Sequence, residues 1–142
     1  MPKSGTVLAF DFGEKRIGVA MAELSVGIAH PLKTIHAEDN LTRFQQIAAL
    51  IQEWRPVSLV VGEPHHANDS PHATGRLTRR FAQRLTGRFD LPVHLTDETL
   101  SSHEAQSLLQ ERGLHAEKIK AVIDSVAAAA ILTTWLSQQH TP

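Results

Sequence analysis

The segment VLAFDFGEKRIGVA, Val7 to Ala20, constrains the fold of this chain more than any other. An apolar run, Val7 to Asp11, ends on an acid. The chain then turns through Gly13 and the basic pair Lys15 and Arg16, and is apolar again from Ile17 to Ala22. Two short apolar runs joined by a glycine-bearing turn predict a hairpin. A hairpin needs the turn, but it does not need an aspartate at the end of a strand otherwise fit for burial. Asp11 therefore asks for a role beyond folding.

The rest of the chain supplies partners for that hairpin. A third strand, about Ile28 to Ile35, follows Gly27 and contains Pro31, which suits a sheet edge because proline cannot donate to a ladder. From Asn40, read as an N-cap, Leu41, Phe44, Ile47, Ala48, Ile51 and Trp54 recur at helical spacing until Pro56. Val57 to Gly62 is a continuous apolar run of the kind found in a strand covered on both faces. After the loop EPHHANDSPHA, the spacing predicts a helix from about Thr74 to Thr86, with Leu77, Phe81 and Leu85 on one face and its end near Gly87. Leu91 to Thr96 reads as a fifth strand. Ser101 and Glu104 form a capping-box pattern that opens a helix stopping at Gly113. A last helix, about Glu117 to Ser137, is marked by Ile119, Val122, Ile123, Val126, Ala127, Ala130, Ile131 and Thr134.

Short connections make the first three strands antiparallel, whereas the fourth and fifth each follow a crossover helix and run parallel to the first. The expectation is an α/β fold: a five-stranded mixed sheet of order 3-2-1-4-5 flanked by helices. Ligand sites gather at the carboxyl ends of parallel strands in such sheets. Asp11, Glu63 and the pair Asp97 and Glu98 fall at or just past those ends.

Composition bounds the function. The 142 residues fit one domain, 1–142, with no linker, repeat or low-complexity tract, and the absence of cysteine excludes disulfides and thiolate metal sites. No apolar segment approaches the roughly 20 residues of a membrane span, so a cytoplasmic protein is expected. A formal net charge of -1 excludes a uniformly basic nucleic-acid binder, and contact with phosphate would need a local patch. Such a patch exists. Ser70 to Phe89 contains no acid, and Arg76, Arg80, Arg84 and Arg88 recur every four residues, which traces one stripe along a helix. A solvated helix face is the ordinary meaning of such charges, but the lack of acids favours phosphate contact. Lys15 and Arg16, one turn from Asp11, are further candidates. With no tyrosine, and with Trp54 and Trp135 on apolar faces, recognition through backbone and shape is expected over base stacking. His65, His66 and His72 crowd one polar loop but lack the marks of a zinc site, and Ser101 and Ser102 read as caps, not nucleophiles.

Acids brought to one edge repel unless cations or protons offset them, which points to a divalent metal. Magnesium takes a few carboxylates with water and phosphate oxygens. Two such ions about 4 Å apart can drive in-line displacement at a phosphodiester. Asp124 is the only charged residue between Ala121 and Gln138 and should face a cation, a donor or water. The alanines after it imply close packing of that helix on the sheet, which would bring Asp124 toward Asp11.

The chain resembles, almost end to end, the YqgF/RuvX family of RNase H-like proteins. DFGEKRIGVA is similar to the family's opening DxGxKRIGVA, VVGEP to its GxP strand end, DETLSS to its DERxS/T element, and DSVAAAAIL to its DxxAAxxIL helix. The resemblance implies an RNase H-like fold and a metal-dependent nuclease. Asp11, Glu98 and Asp124 would be the catalytic acids and would hold Mg2+ or Mn2+. It also implies work on nucleic acid, either processing of the 5' end of pre-16S ribosomal RNA, which is favoured, or resolution of Holliday junctions. The chain departs from the pattern at Thr99, where the family has arginine. It departs again in the loop after Gly62, where Glu63 replaces an apolar residue and the Asp-Gly turn near Asp69 is shifted or lost. Glu63 reads either as a second-strand acid of the site or, preferred, as an exposed loop residue. The Thr99 departure keeps open a catalytically weak RNA-binding factor of ribosome assembly. A monomer and a homodimer both fit, the dimer being what a resolvase needs.

Overall fold

A computed structural model describes residues 4–63, 73–97 and 116–139, except the side chains of 73, 74, 97 and 116–121. Its elements are β1 (Thr6–Phe12), β2 (Arg16–Glu23), β3 (Ala29–His36), α1 (Asn40–Trp54), β4 (Ser58–Glu63), α2 (Ala73–Phe89), β5 (Val93–Asp97) and α3 (Ala116–Gln139). The five strands form one sheet in the order β3-β2-β1-β4-β5. β1 pairs antiparallel with β2 and parallel with β4, and β5 runs parallel to β4. The mixed sheet expected from connection lengths is therefore the sheet observed. The Ser101 to Gly113 helix and the loop histidines lie outside the described residues, as do Glu98, Thr99 and Asp69.

Period-two alternation gives the sheet two apolar faces, because both are covered. Leu8 and Phe10 of β1, Ile17 and Val19 of β2, and Leu59 and Val61 of β4 are buried with Phe44, Ile47 and Leu50 of α1 and Phe81 and Leu85 of α2. Val7, Ala9, Ala20, Ala22 and Val60 face the other way and are buried with Ala128, Ile131, Leu132, Trp135 and Leu136 of α3. Phe81 is the hub of the first layer, with ring centroids 6.0 Å from Phe10, 4.8 Å from Phe12 and 5.8 Å from Phe44.

The second layer depends on missing side chains. A Cβ at Gly62 would stand 2.3 Å from Ile131 Cδ1, and one at Gly18 would stand 1.8 Å from the backbone oxygen of Asp124. Helix α3 lies this close because Gly18 leaves room for its backbone and Gly62 for the side chain of Ile131.

Helix termini and faces differ in detail from the spacing argument. α1 is capped by Asp39, not Asn40: the Asp39 carboxylate accepts the Thr42 N–H at 2.8 Å. It ends at Arg55, whose left-handed conformation (φ 47) lets its N–H reach Ile51 O just before Pro56. Its inward face is Arg43, Phe44, Ile47 and Leu50, while Leu41 is 71% exposed. α2 runs through Gly87 to Phe89 and ends at Asp90, which takes the positive φ of 53 expected of a glycine. α3 is rotated toward Ala128, Leu132 and Trp135, with Val126 and Ala130 at its margin. β3 is an edge strand, and its register with β2 jumps from Lys33 to Pro31 between Val19 and Ala20, so proline lies at a bulge.

Candidate functional site

Strand parity decides which acids can meet. Val7 and Ala9 face α3, so Asp11, the next residue of that parity, lies on the α3 side, half-buried at the end of β1. Phe12 packs with the opposite layer. Across the hairpin Asp11 pairs with Gly18, the residue whose missing Cβ admits the backbone of Asp124. One glycine thus brings the end of β1 and the polar turn of α3 to one place.

Asp124 meets the cation its isolation in an apolar helix called for. Its Oδ2 lies 3.2 Å from Arg16 Nε, with the Asp124 side chain 14% exposed and that of Arg16 46% exposed. The contact is an ion pair without hydrogen-bond geometry, so Oδ2 is buried with no hydrogen-bond partner. A groove of about 580 Å³, lined by Gly13, Glu14, Lys15, Arg16 and Asp124, opens over it. A buried carboxylate oxygen without a hydrogen-bond donor, on the sheet face that also carries Asp11, suits a hard divalent cation. Among the described residues, no three His, Cys, Asp or Glu side chains are grouped to hold a metal ion. A third ligand would have to come from outside them, where Glu98 lies.

Glu63 does not join this set. It ends β4 with the parity of Leu59 and Val61, on the α2 side, and its Oε1 lies 3.1 Å from Arg79 Nη1. Both readings of Glu63 are corrected: it ends a strand, half-buried and ion-paired, instead of standing in an exposed loop, and it lies on the face opposite the one Asp11 shares with α3, so it does not join Asp11 as a second-strand acid.

The turn under Asp11 is held by a residue that sequence reasoning passed over. Arg43, 6% exposed, donates from Nη2 to the backbone oxygen of Glu14, to Ala37 O at 3.2 Å and to Glu38 O at 3.5 Å, and from Nη1 to Asn40 Oδ1 at 3.2 Å. Ala37 N–H closes the clamp on Lys15 O at 3.1 Å. Burial lowers the Arg43 pKa from the ordinary arginine value; Asp39 opposes this, and nearby Arg84 adds to it. Gly13 is required here for room, since a Cβ would meet Arg16 O at 2.6 Å.

The arginine stripe forms as its spacing indicated. Arg76, Arg80, Arg84 and Arg88 are all exposed on α2. Arg80 and Arg84 line a cavity with Arg43, and Arg88 lies over the Phe44 ring at 4.4 Å from its centroid. Among the described residues only Arg79 of the five α2 arginines is ion-paired.

A 3-2-1-4-5 mixed sheet with an acid ending its central strand and a helix-borne acid behind it defines the RNase H-like class, and solved structures of that class share the fold. Thermus thermophilus RuvC in complex with Holliday junction substrate matches with a TM-score of 0.57 at 15% identity, covering 95% of each chain. The fowlpox virus resolvase in complex with Holliday junction DNA matches with a TM-score of 0.60 at 8% identity, covering 96% of this chain and 99% of that one. Within this class the chain belongs to the RuvX family, described as Holliday junction resolvase, which matches residues 5–138. Relatives named "Putative pre-16S rRNA nuclease" include one from Methylobacillus flagellatus, 56% identical over 131 residues and covering 92% of this chain and 90% of its own length. One from Dechloromonas aromatica is 52% identical over 136 residues, with 96% and 93% covered.

Proposed function

We propose that the protein is a divalent-metal-dependent nuclease that hydrolyses phosphodiester bonds, with the 5' end of pre-16S ribosomal RNA as its substrate in the cytoplasm. The observation that carries this reading is the convergence of Asp11 and Asp124 at Gly18, on an open edge flanked by cations. The name shared by relatives about half identical to the chain supports RNA as the substrate.

Asp11 and Asp124 would hold the metal, joined by Glu98, the residue that follows β5 in the sequence. Mg2+ or Mn2+ there would supply activation of water and charge stabilisation at the phosphate. The chain's own groups do the rest. Arg16 pairs with the buried Asp124 carboxylate and holds it in place, and Lys15 stands at the mouth of the groove to meet phosphate. The α2 arginines at 76, 80, 84 and 88 track the backbone of the bound strand.

A second reading, DNA junction resolution, is favoured by the family description and by the junction-bound structures that share the fold. It would require a symmetric homodimer, whereas RNA trimming can be done by a monomer. A side-by-side assay of a pre-16S 5' fragment and a four-way junction, with Mg2+, with Mn2+ and with chelator, separates the two. Asp11→Asn and Asp124→Asn are expected to lose cleavage by at least about 100-fold while still binding. Full activity in Asp11→Asn would overturn the assignment, and tight binding without cleavage by the unaltered protein would identify an assembly factor instead.

A further inference from the structure

On the side of the β1–β2 turn away from Asp124 is a second cavity of about 310 Å³, lined by Phe12, Glu14, Leu77, Phe81 and three arginines, Arg43, Arg80 and Arg84. Its volume is at the lower end of small-ligand sites. Arg43 is more than nine-tenths buried there, and its Nε has no hydrogen-bond partner. Arg80 and Arg84 have no carboxylate partner among the described residues. Three guanidinium groups against the exposed Glu14 and Glu38 leave the cavity with an excess of positive charge. The apolar part of the wall is aromatic: Phe12 is half-buried and its ring lies 4.8 Å from that of Phe81. Cationic groups beside an aromatic wall match a phosphate joined to a base.

Position selects among such ligands. Glu14 lines both this cavity and the groove over Asp124, so the two flank the same turn. Phe12 directly follows Asp11, and strand parity sends the two to opposite faces. A strand whose phosphate lies over Asp11 and Asp124 has its neighbouring nucleotide at the turn, within reach of the cavity.

We infer that this cavity holds one unstacked nucleotide of the substrate strand, its base against Phe12 and Leu77 and its phosphate on Arg80 and Arg84. The inference rests on the nuclease reading for its substrate, and it adds a base-binding subsite to recognition otherwise made through the backbone. Such a subsite makes the enzyme prefer strands that can release a base from stacking, as unpaired ends and branch points do.

The test uses full-length protein and a short single-stranded RNA in which each position in turn is made abasic, with binding measured in EDTA. Removing the base at one position is expected to weaken binding about tenfold, within what one stacked base contributes, and removal elsewhere to matter little. Leu77→Trp, which fills the cavity, should abolish that position dependence. Arg84→Glu, an exposed change, should weaken binding about tenfold more than Arg76→Glu, because Arg76 does not line the cavity. A uniform response to base removal overturns the inference, as does a position dependence that survives Leu77→Trp or equal losses at Arg84 and Arg76. Position-dependent binding by a protein that cleaves under no metal condition sustains the subsite and removes the nuclease reading instead.

Discussion

Gly18→Ala is the sharpest test of how the acids are brought together. The new Cβ would stand 1.8 Å from Asp124 O, 2.2 Å from Asp124 C and 2.9 Å from Ser125 N, all backbone atoms of α3. Ordinary Cβ contact begins at 3.4 Å, so the helix must retreat about 1.6 Å, and no side-chain rotation can absorb it. Overpacking of this kind costs about 1–3 kcal/mol. For a chain of this size that lowers the melting temperature by about 2–12 °C. The functional loss should be larger than the loss of stability implies. A misplacement of about 1 Å in a reacting constellation can cost about 100-fold in rate, and this retreat carries Asp124 away from Asp11. The assay is cleavage at a temperature where circular dichroism shows the variant fully folded, with Gly62→Ala as control. There the obstacle is the Ile131 side chain, with Cδ1 at 2.3 Å and Cγ1 at 2.8 Å, and the nearest contacts include no backbone atom of α3. Gly62→Ala should therefore keep most activity. A folded Gly18→Ala protein that cleaves within about threefold of the parent would refute the argument that this close approach sets the site.

Arg43→Met keeps the bulk of the side chain but leaves the carbonyls of Glu14, Ala37 and Glu38 without their donor, at about 2–3 kcal/mol by chemical denaturation. Arg43→Lys should rescue little, since an ammonium cannot span the same fork. Arg16→Ala leaves the buried Asp124 oxygen facing no cation, so Mg2+ should raise the melting temperature more in the variant than in the parent; equal shifts would show that Arg16 and the metal do not share this carboxylate. Hydrogen bonding by the Thr42 N–H depresses the Asp39 pKa below its ordinary value of 3.8. Its contribution is thus complete above that value and is lost as pH falls through the lower folded pKa. Asp39→Ala should melt below the parent at neutral pH, and the gap should narrow as the pH falls below 3.8.

The architecture was legible because its signals are periodic and long. β1, β2 and β4 are apolar on both faces, and the crossover helices leave one sensible strand order. Asp124 was legible by contrast, as a single charge in an apolar helix. What was missed turns on geometry that residue type alone does not carry. Arg43 shares the helical face of Ile47 and Leu50, and that spacing was available to be read, but an arginine is ordinarily counted as surface. Asp39 and Asn40 are both good caps, and only the backbone turn decides between them. For Glu63 the sequence favours an exposed loop, but β4 extends to include it, and strand parity, counted from Leu59 and Val61, sends it to the face opposite Asp11.

The outermost strand has a consequence for assembly. β3 leaves the sheet's flank lined by His30, Pro31, Lys33 and His36, all exposed, with a bulge at the proline. Pro31 offers no N–H, the bulge breaks the hydrogen-bond spacing, and Lys33 adds charge, so a strand from a neighbouring molecule finds no template there. On this flank the sheet is closed to growth. Crowded copies find no unbroken ladder along β3 on which to zip together.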